Sequence, residues 1–256
     1  MGLFDKKYCD VCGEKIGLLG NRKLEDGNLC KDCARKLSPW FSERRNSSVN
    51  EIKRQLEYRE ENRGRVEAFH ITRTLGSGTK LLLDEDAGLF MVTSAKNIAE
   101  ANPDVLALSD VTGCTLDVEE SSKELLHEDK DGNEVSYNPP RYEYSYDFYI
   151  IVNVNNPYFN EMRFRINPNS VEISPPPSIR PGVTLRFKPE TNAEYKKYKQ
   201  LGEEIRQILV KVRDDAREKI EQAAAPKTAV SCPYCGATTT PDASGCCEYC
   251  GGALMG

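Results

Sequence analysis

The chain has 256 residues, 39% hydrophobic and 29% charged, with a formal net charge of −5. That length suits one mid-sized core with small appendages, and the longest strongly apolar run, residues 148–152, is far too short to cross a bilayer. The opening Met-Gly-Leu-Phe-Asp-Lys-Lys lacks the apolar stretch of a secretion signal, and Lys6 stands where myristoylation after Gly2 would want Ser or Thr, so a reducing cytoplasm is the expected location.

Eight of the ten cysteines form four Cys-x-x-Cys pairs. Cys9/Cys12 and Cys30/Cys33 lie 17 residues apart near the start, and Cys232/Cys235 and Cys247/Cys250 lie 11 residues apart near the end. One pair wraps a turn around a metal ion and places two thiolates on adjacent vertices; a second pair completes a tetrahedron and leaves no vertex for water. Two structural Zn²⁺ ions are therefore expected, with these eight cysteines as ligands.

Residues 1–40 read as a small zinc module. Cys9 to Gly13 makes a knuckle, Asp26-Gly27-Asn28 turns a short hairpin, and Cys30 and Cys33 open a helical turn that Ser38-Pro39 interrupts. This is the layout of a treble clef. Unpaired N–H groups at a helix start favour thiolates placed there. Residues 41–66 form a helical linker, with Ser47 or Ser48 as cap. Val49, Ile52 and Leu56 make a thin apolar stripe, and Lys53, Arg54, Arg59, Glu60 and Glu61 are expected in solvent. Gly64 weakens the end.

Over residues 67–190 the period changes to two. Tyr142, Tyr144, Tyr146, Phe148, Ile150, Val152 and Val154 alternate with mostly polar residues, and Asn155-Asn156-Pro157 turns the chain into a strand bearing Met162, Phe164 and Ile166. Cys114, Leu116 and Val118 alternate likewise, and Lys130-Asp131-Gly132-Asn133 marks a hairpin tip. Further strands are predicted near 67–74, 79–84 and 88–93, giving seven or eight in antiparallel arrangement. The run Pro175-Pro176-Pro177 begins an extended crossing over 174–190. Thr191-Asn192-Ala193-Glu194 fits a capping box, and Tyr198, Leu201, Ile205, Ile208, Leu209 and Val212 give the following helix a sustained apolar face. Residues 226–256 are a second zinc module behind a short Ala/Pro linker. The predicted architecture is thus α+β. An antiparallel β-barrel or sandwich over 67–225, closed by a C-terminal amphipathic helix, is flanked by two zinc modules. Its strands and helix supply a core of their own, so this central domain is expected to fold without either module.

The stretch from Cys9 to Cys33 resembles an uncharacterised bacterial zinc-module family, onto whose pattern Cys9, Cys12, Cys30 and Cys33 fall without a gap. The resemblance implies ligands but no activity. Cys232-Pro-Tyr-Cys235-Gly and Cys247-Glu-Tyr-Cys250-Gly are similar to the knuckles of bacterial zinc ribbons, except that Cys246 sits beside Cys247. Spacing favours Cys247 as the ligand. The middle resembles small PH-like (GRAM-like) domains through its strand count and terminal helix.

Little material for catalysis is present. A closed thiolate shell offers no open metal position, Cys114 reads as a buried inert thiol, and the only histidines, His70 and His127, stand in separate strands. Gly76-Ser77-Gly78 lacks the lysine of a phosphate loop and reads as a hairpin turn. Residues 84–136 hold fourteen Asp/Glu against three Lys/Arg, and 230–256 hold no Lys or Arg. Affinity for nucleic acid comes largely from neutralising phosphates, and neither region can do so. The expected function is a non-enzymatic zinc-binding adaptor with an unidentified protein partner, no nucleic acid and no small-molecule substrate. The alternative is a peripheral membrane protein that binds lipid phosphates through Arg73 and Lys80.

Overall fold

The computed structural model describes residues 6–174, 188–224, 229–242 and 244–254. The expected crossing over 174–190 lies mostly outside the described residues. Two compact units form, Met1–Asp214 and Asp215–Gly256.

The first unit opens with two small hairpins. β1 (Lys7–Tyr8) pairs with β2 (Lys15–Ile16), and β3 (Arg22–Lys23) pairs with β4 (Asn28–Leu29). The short helix α1 (Lys31–Arg35) follows directly. The long helix α2 (Val49–Ala68) starts at a capping box, in which the Glu51 N–H donates to Ser48 Oγ and the Ser48 N–H donates to Glu51 Oε2 at 2.7 Å. It runs past Gly64, where an added Cβ would meet nothing within 4 Å.

A four-stranded antiparallel sheet comes next, in the order β5 (Arg73–Leu75), β6 (Lys80–Asp84), β7 (Leu89–Thr93), β8 (Leu106–Ala107). The short helix α3 (Ile98–Ala101) lies between the last two strands in the chain. Gly76 has φ +90° in the β5–β6 turn, so the Gly76-Ser77-Gly78 stretch is the hairpin turn its composition suggests. Leu82 and Met91 point to one face of this sheet and pack with Val66 of α2 and with Val105. Leu81, Leu83 and Phe90, one residue out of phase, are buried on the other face.

The second sheet is built on one long strand. β10 (Glu134–Val154) pairs with β9 (Val111–Glu128) along one side. On its other side it pairs with β11 (Glu161–Arg165) and then β12 (Val171–Ile173). The even positions of β10 from Tyr146 to Val154 are buried, as are Met162, Phe164 and Ile166. Helix α4 (Ala193–Ala224) packs on this face through Tyr195, Tyr198, Ile205 and Leu209. Tyr142 and Tyr144, expected in the same core stripe, are exposed and half-buried respectively, because the strand has run past α4 there. The Tyr195 ring meets Tyr146 edge-on at 5.0 Å and Phe148 at 5.1 Å. Gly202 lets the helix approach β9, since a Cβ there would stand 2.5 Å from Leu116 Cδ1. The start of α4 is capped by Asn192, whose side-chain oxygen accepts from the N–H groups of Glu194 and Tyr195. The cap therefore lies one residue later than the predicted box.

The eight strands β5–β12 thus form two separate four-stranded antiparallel sheets, and no closed barrel exists among the described residues. Of the barrel or sandwich expected for 67–225, the closed barrel fails at a definite place. β8 is only two residues long and pairs only with β7, while β9 begins a new sheet at Val111. In the second unit, β13 (Val230–Ser231) pairs with β14 (Thr238–Thr239).

Candidate metal centres

Three of the four Cys-x-x-Cys pairs share one backbone turn. At Cys9, Cys232 and Cys247 the cysteine N–H donates to the carbonyl five residues on (Glu14, Ala237 and Gly252). The cysteine carbonyl accepts from the glycine N–H four residues on (Gly13, Gly236 and Gly251). Each of those glycines has φ between +70° and +77°, a conformation that other residues adopt only with strain. The fourth pair is built differently. Cys30 is the N-cap of α1, and its sulfur accepts from the Cys33 N–H at 3.3 Å. The Cys30 N–H in turn donates to Cys9 Sγ at 3.3 Å, which ties helix start to knuckle.

In each cluster the four sulfurs lie within 4.8 Å of one another. Cys12 and Cys30 stand 3.7 Å apart, Cys232 and Cys250 3.6 Å, and Cys235 and Cys247 3.7 Å. Disulfides require about 2.05 Å. Four sulfurs at about 2.3 Å from a central tetrahedral ion would be separated by about 3.8 Å. The spacing is that of a metal shell. Cys247 belongs to the second cluster, whereas Cys246 turns away and its thiol donates to the Ser244 carbonyl.

Acidity within the clusters is divided. Burial pushes the Cys9 thiol up, but the N–H groups of Cys12, Cys30 and Val11 outweigh it and bring it down to about 7. Cys232 also falls to about 7, with burial opposed by the N–H groups of Cys235 and Tyr234. Cys33 is pushed up by burial and by the neighbouring thiols of Cys12 and Cys30. At Cys250 the Gly252 N–H pulls downward, yet the thiols of Cys232, Cys235 and Cys247 prevail and raise it to about 12. Four thiolates cannot gather without a cation; a dication removes the repulsion and releases the protons.

The N-terminal cluster is embedded in apolar side chains. Cys9, Cys30 and Cys33 are buried with Ile16, Leu24, Leu29, Leu37 and Ile52, the last from α2. Asp26 Oδ1 accepts from the Val49 N–H at 2.7 Å, and Asp10 Oδ2 accepts from the Asn28 N–H at 2.6 Å. Among the described residues of the C-terminal unit, only Cys232, Cys247 and Thr239 are buried.

A second set of residues, not anticipated from the sequence, anchors the first cluster to the rest of its unit. The buried stripe of α2 is Ile52, Gln55, Arg59, Asn62 and Val66, at steps of three and four, and its three central members are polar. Arg59, expected in solvent, is buried instead and pairs with buried Asp104 at 2.7 Å. It also donates to the carbonyls of Lys36 and Asn102. Ser38 Oγ donates to the other Asp104 oxygen at 2.8 Å. Asn62 donates to Asn102 Oδ1 and the Pro103 carbonyl and accepts from the Val105 N–H. Burial pushes the Asp104 carboxyl above the usual carboxylate range in spite of Arg59 and Ser38. The network crosses both boundaries expected at residues 40 and 66. The only hint in the sequence was the 3–4 spacing of polar residues between Ile52 and Val66.

The remaining candidates stand apart. Cys114 is buried on β9 and its thiol is pushed up to about 12 by burial, which suits an inert thiol. His127 stacks on Tyr137 at 4.5 Å, and His70 precedes β5 on a different sheet. Arg73 pairs with Glu85 at 3.3 Å, so one of the two cations expected to hold lipid phosphate is already engaged.

A family model described as a domain of unknown function (DUF4428) matches residues 7–55. The matched stretch contains all four N-terminal cysteines, both small hairpins, α1 and the first turns of α2. No curated protein and no solved structure matches the chain. No helix among the described residues is long and apolar enough to cross a membrane.

Proposed function

We propose that the chain is a non-enzymatic adaptor held together by two structural zinc ions, with its central sheets presenting a surface to a protein partner in the cytoplasm. The observation that carries this reading is the closure of both shells. Four thiolates from Cys9, Cys12, Cys30 and Cys33, and four from Cys232, Cys235, Cys247 and Cys250, fill a tetrahedron and leave no position for a substrate or an activated water. Zinc is the ion that all-sulfur tetrahedra of paired knuckles commonly select. Residues would hold it as ligands, and its contribution is to join short segments that lack a core of their own. Helix α4, packed across β9 and β10, supports the PH-like kinship read from the sequence, here in the form of an open sheet. The surplus of acid in residues 84–136 and the lack of Lys or Arg in 230–256 favour a protein partner over nucleic acid or anionic lipid.

Elemental analysis of the gently purified protein tests the reading. Two zinc ions per chain are expected. One ion per chain, or a redox-active metal in either cluster, would overturn it.

A further inference from the structure

Backbone pairing around β10 stops at a defined point. β11 takes its residues 149–153 and β12 its residues 144–146, so from Glu143 outward β10 pairs, among the described residues, with β9 alone. Residues 123–143 therefore form a two-stranded ribbon whose side chains are exposed or half-buried throughout. Such ribbons are marginally stable in water and gain from a third strand.

The two edges of this ribbon differ. The β10 edge carries Pro139 and Pro140, and the register shifts between Ser136 and Arg141. Proline has no N–H to donate, and an irregular register bends a strand, so this edge resists addition. The outer edge of β9 over residues 119–128 has no proline or glycine; the register shift falls opposite Leu125 and Leu126, but its extra residues, 137–140, all lie on β10, and no described strand pairs with this edge of β9. One edge is closed to addition, and the other is open among the described residues.

Charge selects the occupant. The open edge carries Glu120, Glu124 and Glu128 against Lys123, besides Glu119, which Arg163 already pairs at 2.7 Å. Glu120, Glu124 and Glu128 share one face with Leu126, 45% exposed, and with the cross-strand Tyr142, 40% exposed. A second copy of the chain in antiparallel pairing would set glutamates against glutamates. Phosphate-bearing partners are repelled in the same way.

We propose that the outer edge of β9, residues 119–128, receives an extended protein segment as a third strand, with Lys or Arg at alternate positions opposite the glutamates and an apolar side chain near Leu126. This names the surface and partner chemistry of the adaptor reading and rests on it.

The test uses the full metal-loaded chain and a labelled ten-residue peptide alternating Lys and Thr, with one central Lys replaced by Leu to face Leu126 (the Lys/Thr peptide). The controls are a Glu/Thr peptide and the Lys/Thr peptide N-methylated at alternate residues. Anisotropy titration is expected to show binding of the Lys/Thr peptide only, weakened about tenfold by the paired change Glu124→Lys and Glu128→Lys. Amide exchange is expected to slow at residues 119–128. Equal binding of the N-methylated peptide would mean charge attraction without strand addition and would overturn the proposal. So would protection confined to other residues, or no binding. Metal content is read on the same sample. Two ions per chain without peptide binding removes the docking edge and leaves the zinc scaffold standing, whereas fewer ions fails the scaffold whatever the peptide does.

Discussion

The two cysteine clusters offer the same four thiolates, yet they sit in different surroundings. The N-terminal cluster combines one knuckle with one helix cap, is packed among Ile16, Leu24, Leu29, Leu37 and Ile52, and is joined by α2 to the first sheet. The C-terminal cluster combines two knuckles, and its own unit buries almost nothing else among the described residues. The same metal chemistry would therefore do different work. At the C-terminus a bound ion would substitute for a core; at the N-terminus it would complete one. A segment of a few dozen residues without an apolar core has no other source of folding energy.

The largest expected effect follows from that contrast. Cys232→Ser should remove the C-terminal ion and abolish ordered structure over residues 230–254, read as collapse of their amide dispersion, while the melt of the first unit stays unchanged. Cys30→Ser should instead lower the thermal midpoint of the first unit as a whole, because Ile52 and α2 belong to the same cluster. If Cys232→Ser shifted the first unit equally, the contrast would fail. Acid acts on both sites in one direction. Metal-free Cys33 and Cys250 hold protons at neutral pH, so binding releases them, and affinity must fall as pH falls. Zinc release followed by a colorimetric chelator should therefore rise steadily on acidification.

Next in size is the link between the first cluster and its sheet. Asp104→Ala leaves the Arg59 guanidinium buried without its carboxylate and should cost about 3–5 kcal/mol in urea unfolding. It should also speed zinc loss from the N-terminal site to chelator but not from the C-terminal one. Equal rates at both sites would show that the network does not support the metal centre. Phe148→Ala should cost a comparable ~3–5 kcal/mol as a large-to-small change beneath α4. Tyr149→Ala, on the opposite face, where Arg163 lies 3.5 Å over its ring, should cost clearly less. The smallest effect is expected at Cys246→Ser, which should leave metal content and stability unchanged, since its sulfur lies outside the cluster.

Much of this was legible in the sequence where one local rule governs. Cys-x-x-Cys followed by glycine marks the three knuckles, and strict alternation marks the buried side of β10, because a strand facing one core must repeat every two residues. Helix α2 was found for the same kind of reason, yet its role was misread. Its buried stripe is carried by Gln55, Arg59 and Asn62; the partners that make Arg59 and Asn62 buriable, Asn102 and Asp104, lie some forty residues away, whereas the buried Gln55 amide has no hydrogen-bond partner among the described residues. No local pattern reports a buried polar pair whose partner is remote. That is also why a core for 67–225 independent of the N-terminal module was expected, whereas Arg59 links the Lys36 carbonyl to Asp104 and Ser38 bonds Asp104 directly. The expectation of a barrel or a sandwich left open how the strands divide, for a related reason. Strand count follows from periodicity, but which strand pairs with which depends on where β8 ends, and two residues decide that.

The central claim is that both clusters are closed, all-sulfur zinc shells, and X-ray absorption at the zinc edge of the metal-loaded protein tests it most directly. A single shell of four sulfur neighbours at about 2.3 Å per ion is predicted. Nitrogen or oxygen neighbours near 2.0–2.1 Å would contradict it by showing an open or mixed coordination sphere.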